Sequence, residues 1–185
     1  MKVFAFAASY SKASLNKRLL EVVLGMVREA GHEVDFAEFR EFDMPLVDGD
    51  LAIARIVPEG ATALGERIQA ADAWILACPE YNWSMPGTIK NAIDWLSRID
   101  PIPIERKSVL LLSAAQSLVG GYRGLMNLRT PLEGLGCWCY PKHFSLAQAR
   151  DAYDDDGALK DKALEGMLRS MVEDYLSAAA ALNGR

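Results

Sequence analysis

The chain is poor in the groups that most enzymes use for chemistry. It has two histidines, His32 and His143, far apart in sequence and each beside apolar runs, so no metal site is expected on them. Its three cysteines cannot all pair within one chain. Cys137 and Cys139 alternate with Trp138 along a strand-like run, which puts both on one face, and neighbours two apart in a strand rarely form a disulfide. Cys78 ends an apolar strand and reads as a small core residue. A basic excess is also missing. The net charge of −5 argues against general nucleic-acid binding. No apolar run is long enough to span a bilayer. The apolar start, residues 1–8, is too short for a signal sequence and turn residues follow at once. It reads as a first buried strand, and a cytoplasmic protein is expected.

Several catalytic and nucleotide motifs are absent as well. No Gly-Lys-Ser/Thr follows a suitable spacer, so there is no Walker loop. The only paired glycines after a strand, Gly120-Gly121 with Gly124 beyond, lack the dinucleotide spacing. There is no Gly-x-Ser-x-Gly elbow, and neither histidine has an evident Ser or Cys partner. Covalent hydrolysis is therefore not expected.

What is present is an alternating pattern. The 185 residues, 51% of them apolar, suffice for one α/β domain with a full core. The unbroken apolar run at 2–8 reads as a strand buried on both faces, and 73–78 and 107–113 read as a third and a fourth strand. Further strands are expected at 33–39 and 137–146. Helices are expected at 14–30, 60–71, 86–99, after the Gly120-Gly121 loop to about 134, and at 158–182. Ser14 is placed as an N-cap, Gly31 as a stop, and Pro86 at a first helical position. Residues 40–57 read as irregular. No linker, internal repeat or low-complexity tract divides the chain, so 1–185 reads as a single domain. Five strands alternating with five helices imply right-handed crossovers and one parallel sheet, with order 2-1-3-4-5. Ligands of such sheets lie beyond the strand carboxyl ends, at the switch between strands 1 and 3.

Two loops at that edge carry the chemistry. Pro79-Glu80-Tyr81-Asn82-Trp83-Ser84 follows the third strand and is rich in aromatic and amide groups, which suit a flat heteroaromatic ring. Ala8-Ser9-Tyr10-Ser11-Lys12-Ala13-Ser14 follows the first strand and ends at a helix start. Free N–H groups and the positive dipole end attract an anion there. Lys12, Lys17 and Arg18 cluster nearby, and no acid appears before Glu21. Cations in a first turn are unfavourable by roughly 0.3–1 kcal/mol each, a conflict that a bound phosphate removes. A Ser-rich turn with solvated lysines is the plainer alternative.

At this point the chain resembles the NADPH-dependent FMN reductase family, the flavodoxin-like group that includes quinone, chromate and azo-dye reductases. The run Pro79-Glu80-Tyr81-Asn82, Ser84, Pro86-Gly87 and Lys90-Asn91-Ala92-Ile93-Asp94-Trp95-Leu96 matches its central motif. Ser9, Ser14 and Asn16 match its first loop, and Gly120-Gly121, Arg123 and Leu128-Arg129 its third region. The resemblance covers essentially the whole chain. Ala8 stands where the family has glycine, Ser11 where it has a phosphate-binding arginine, and Trp83 where glycine is commoner.

The resemblance implies a single flavodoxin-like domain that binds FMN. Ser9, Ser11, Ser14, Leu15 and Asn16 would hold the phosphate and ribityl chain, with Lys12, Lys17 or Arg18 supplying charge in place of the arginine. Pro79, Glu80, Tyr81, Asn82, Trp83 and Ser84 would hold the isoalloxazine, and Ala115, Gln116 and Ser117 would border it. Glu80 has an alternative use, capping nearby backbone, and Trp83 an alternative use as a lid or interface aromatic. Lys90, Asn91 and Asp94 read as packing and subunit-contact residues. The implied activity passes hydride from NAD(P)H through FMN to a quinone-like or other small acceptor, in a homodimer or homotetramer. A flavodoxin-like electron carrier or a cofactor-free binding protein is the alternative. No protein acid or nucleophile is needed, because the flavin carries the chemistry.

Overall fold

The first strand, β1 (Lys2–Ala7), is buried from Val3 onward on both of its faces. It lies between two parallel neighbours, β2 (Glu33–Glu38) and β3 (Ala73–Ala77). Strand β4 (Ser108–Ala114), wholly buried, pairs with β3 on its other side. These positions follow from composition: only strands apolar on both faces can sit in the middle of a covered sheet. Strand β2 is the edge, and its acids Glu33, Asp35 and Glu38 keep that edge polar. The order β2-β1-β3-β4-β5 is the expected one. The computed structural model describes residues 1–50 and 56–184. The segment read as irregular, 40–57, includes residues 51–55, which lie outside the described residues.

The expected strand at 137–146 is two short ones, β5 (Trp138–Cys139) and β6 (Phe144–Leu146), both paired with β4. Pro141 falls between them, and a proline has no N–H to give a ladder. Helix α1 (Leu15–Glu29) and helix α5 (Lys162–Asn183) cover one face, with Leu20, Val23, Val172 and Leu176 in the core there. Helices α2 (Glu59–Ala70), α3 (Gly87–Leu96) and α4 (Tyr122–Gly134) cover the other, around Phe4, Phe6, Trp74 and Ile93.

Two helix starts differ from expectation. Pro86 is the N-cap of α3 rather than its first helical residue. Helix α5 begins four residues late because Asp161 caps it, accepting from the N–H groups of Ala163 and Leu164 at 2.9 and 3.0 Å. No helix of the described residues is long and apolar enough to cross a membrane.

Candidate functional site

Parallel register brings the strand ends together. Ala7 lies beside Ala77, and Ala77 beside Leu112, so the loops after β1, β3 and β4 open at one sheet edge. The three groups of expected site residues stand on these loops, save Leu15 and Asn16, which open α1 just beyond the first.

The first loop turns sharply, with the Ser9 N–H donating to Ala7 O at 2.7 Å. Ser9 is nearly buried, and its hydroxyl oxygen accepts from the Ser11 N–H at 3.4 Å. Ser14 caps α1, accepting from the Lys17 N–H at 3.3 Å. Both hydroxyls act as acceptors there, so each keeps its proton to donate. The N–H groups of Leu15 and Asn16, in the first turn, have no intrahelical acceptor. No acid lies in that turn. A cavity of about 640 Å³ opens here, lined by Tyr10, Lys12, Ser14 and Arg40 among others.

The cations are arranged differently from the expectation. Lys17 is paired with Glu38. Arg18 lies 4.1 Å from the Tyr153 ring centroid and donates to Asp154 O at 3.3 Å. Lys17 is thereby paired, whereas Arg18, held by a ring and a backbone carbonyl, keeps its charge at the cavity wall, and Lys12 is exposed. Arg40, which sequence reasoning missed, reaches the loop from the short turn after β2. Its guanidinium donates twice to Tyr10 O, at 3.2 and 2.9 Å, and lies 4.8 Å from the Tyr10 ring centroid. Its partner is a backbone carbonyl, which leaves no mark in a sequence.

Asn16 is also placed unexpectedly. Its side chain is buried, donating to Ala114 O and accepting from Ala114 N–H, both at 3.0 Å. It braces α1 against the end of β4 instead of presenting a free amide to the edge.

In the loop after β3, Tyr81 and Ser84 exchange backbone hydrogen bonds of 2.9 and 3.0 Å. Between them Asn82 and Trp83 both have positive φ, 48° and 72°. Two successive left-handed residues make a tight primed turn. Asn tolerates that backbone, and Trp does not, at a cost of roughly 1–2 kcal/mol. This explains why glycine is the easier residue at 83. The turn holds Tyr81 and Trp83 out into the open, Trp83 with 70% of its surface exposed.

Glu80 points elsewhere. Its carboxylate accepts from the Arg123 and Gly124 N–H groups at 3.0 and 3.3 Å and from Arg123 Nε at 2.7 Å. Gly121, the N-cap of α4, offers no side-chain cap, so Glu80 supplies one from another loop. A Cβ on Gly124 would sit 3.1 Å from Glu80 Cα and Cβ, so glycine gives this close approach its room. The capping use of Glu80 is the one observed.

In the loop after β4, Ala115 N–H donates to Leu146 O at 3.1 Å and Ala115 O accepts from the Ala149 N–H at 3.0 Å. Ser117 O accepts from the Gln148 N–H at 3.2 Å. The side chains of Gln116 and Ser117 stay exposed. Gly121 closes this loop at φ 91°, where a Cβ would meet Ser113 Oγ at 1.9 Å.

The set fits a phosphorylated aromatic ligand: unpaired N–H groups, hydroxyl donors and a cation beside an acid-free helix start, with a projecting aromatic turn on the adjoining loop. The motif positions on α3 bond within the chain. Lys90 pairs with Asp94 at 2.6 Å, and Asn91 bonds the 45–47 backbone.

Residues 1–151 match the family model described as NADPH-dependent FMN reductase. The chain is 31% identical over 174 residues to an NAD(P)H-dependent FMN reductase of Pseudomonas aeruginosa, covering 94% of this chain and 92% of that protein. It is 42% identical over 87 residues to a quinone reductase of Escherichia coli strain K12. That match covers 47% of this chain and 46% of that protein, so it spans about half the relative's length. Among solved structures it is similar to the flavoenzyme NAD(P)H:(acceptor) oxidoreductase FerB from Paracoccus denitrificans, with TM-score 0.81 and 26% identity over 97% of each chain.

Proposed function

Since the chain belongs to the NADPH-dependent FMN reductase family, we propose that it is an FMN-dependent oxidoreductase that moves hydride from NAD(P)H to a quinone-like or other small acceptor. The observation that carries this reading is one sheet edge where an acid-free helix start, α1, stands beside the aromatic turn at Tyr81–Ser84. Bound FMN supplies the two-electron chemistry.

The chain's own residues bind and orient. The N–H groups of Leu15 and Asn16 and the hydroxyls of Ser9, Ser11 and Ser14 hold the phosphate. Arg40 and Lys12 add positive charge on its open side, in place of the arginine missing at Ser11. Pro79–Ser84 and Ala115–Ser117 border the ring, mostly through backbone, and Asn16 and Glu80 keep the loops where that backbone is useful. Trp83 and Tyr81 wall the slot and keep water from its face.

The exposed Tyr81, Trp83, Leu118 and Tyr122 around the mouth support a second copy covering it, in a homodimer or homotetramer. The three unpaired cysteines and an NAD(P)H reductant suit a reducing cytoplasm.

Calorimetry with FMN and riboflavin tests the cradle. Charge-assisted hydrogen bonds contribute about 1.5–3 kcal/mol, so FMN should bind at least about tenfold tighter than riboflavin. Equal affinities overturn the phosphate assignment. Absence of FMN binding together with absence of FMN-dependent NAD(P)H oxidation overturns the function.

A further inference from the structure

A strap from the segment after β2 lies across helix α3 and is fastened there by three hydrogen bonds. Asn91 Nδ2 donates to Pro45 O at 2.9 Å, and Trp95 Nε1 donates to the same oxygen at 2.7 Å. The Val47 N–H donates to Asn91 Oδ1 at 2.8 Å. Asn91 thus uses both ends of its amide on one short stretch of backbone. Trp95 is fully buried, so its indole is a fixed anchor rather than a passing contact.

Behind the strap is a cavity of about 410 Å³, separate in its lining from the helix-start cavity except for Tyr10. Its walls include Tyr10, Phe39, Phe42, Met44, Leu46 and Tyr81. Phe39 and Phe42 are buried, and Tyr10 stacks on Phe39 at 5.4 Å. Leu46, on the strap, is 80% exposed and bounds the mouth. Tyr81 belongs equally to the aromatic turn, so the cavity adjoins the redox slot. Among the described residues, no lysine, arginine or acid lines it. A mainly apolar slot whose polar side chains are Thr88 and Asn91 beside the two tyrosines suits a flat, uncharged ring bearing carbonyl oxygens better than a small anion.

We propose that Asn91 and Trp95 are positioning residues: they hold the Pro45–Val47 strap as the outer wall of a slot that selects uncharged aromatic acceptors over charged ones. The proposal deepens the reading of the protein as an FMN-dependent oxidoreductase and rests on it for the identity of the acceptor site. It assigns the motif helix a part in acceptor choice, in addition to packing. Removing the fastening frees the wall, so the acceptor loses binding contacts while the flavin cradle, on other loops, keeps its own.

The test compares full-length protein with Asn91→Ala and with Trp95→Phe, which keeps a buried aromatic ring but removes the indole N–H together with its five-membered ring. Tetramethylbenzoquinone binding is measured at equilibrium by fluorescence quenching, without reductant. Steady-state rates are measured with that quinone and with ferricyanide. FMN affinity is measured separately. Asn91→Ala, which removes two of the strap's three hydrogen bonds, should weaken quinone binding and raise its KM by about tenfold, with a smaller change in kcat. Trp95→Phe should move both values in the same direction by less. The loss should be at least about fivefold larger for the quinone than for ferricyanide. Unchanged quinone affinity in folded Asn91→Ala, or equal losses for both acceptors, overturns the proposal. A parent protein that binds the quinone but oxidises no NAD(P)H instead overturns the function, and the strap is still judged by the binding ratio.

Discussion

The guanidinium of Arg123 lies 3.7 Å from the centroid of the Trp83 indole. Arg123 is itself held by Glu80, and Asn127 Nδ2 donates to Trp83 O at 3.2 Å. A strained left-handed tryptophan is therefore pinned at its ring and at its carbonyl by one helix, α4. Strain of this kind persists where the surroundings over-determine it, and it clusters at functional sites.

Replacing Trp83 separates strain from stacking. Trp83→Ala loses the cation–π contact, about 0.5–1 kcal/mol, and keeps the unfavourable φ of 72°. Trp83→Gly loses the same contact but relieves roughly 1–2 kcal/mol of backbone strain. The glycine variant should therefore be about 1 kcal/mol more stable than the alanine variant in urea titrations, and close to the parent. FMN affinity should hold in both, while the KM for an aromatic acceptor rises. An alanine variant as stable as the glycine variant would show that the turn relaxes out of the left-handed region.

His143 makes stability depend on pH near neutrality. Burial, with the Arg129 charge adding to it, holds the His143 pKa below its ordinary 6.5. Its Nδ1 is buried without a partner, and its ring lies 5.1 Å from that of Tyr122, the first residue of α4. Below the ordinary value the unfolded chain takes up a proton that the folded chain refuses. The contribution is thus complete above pH 6.5 and is lost as pH falls from there through the lowered folded value. His143→Gln removes that titration. The parent-minus-variant stability, from urea melts, should shrink as pH drops across this window, and a flat difference would refute the assignment.

The sheet was legible because its signal is local. Unbroken apolar runs at β1, β3 and β4 mark strands buried on two faces, and turn-rich loops after them mark one ligand edge. What escaped depends on backbone partners far away in sequence. Arg40 is recognisable only from the carbonyl of Tyr10, which it grips from 30 residues on. Asn16 matched a ligand motif, yet its amide is matched to Ala114, 98 residues distant. The split of the last strand was readable in Pro141, but an apolar run at 137–146 outweighed one proline. The turn at Asn82-Trp83 was hidden because tryptophan is not a turn residue, and its left-handed backbone is held by α4 rather than by propensity. Lys17 looked free because its partner, Glu38, lies on another element.

Asn16 offers the sharpest separation of bracing from direct binding. Its amide satisfies both the N–H and the carbonyl of Ala114, where β4 leaves the sheet. Asn16→Ala strands two buried backbone groups, at about 1–3 kcal/mol each. The variant should lose about 2–6 kcal/mol of stability. Asn16→Asp keeps an acceptor for the Ala114 N–H but sets a carboxylate oxygen against the Ala114 carbonyl, so it should be no better than alanine. The first-turn N–H groups of α1 survive in both variants, because they belong to the backbone. Flavin fluorescence titrations on the folded fraction, at low temperature, should therefore show FMN affinity reduced by less than about threefold. A loss of about tenfold or more in fully folded Asn16→Ala would place the amide on the ligand, and the brace would then be its second task.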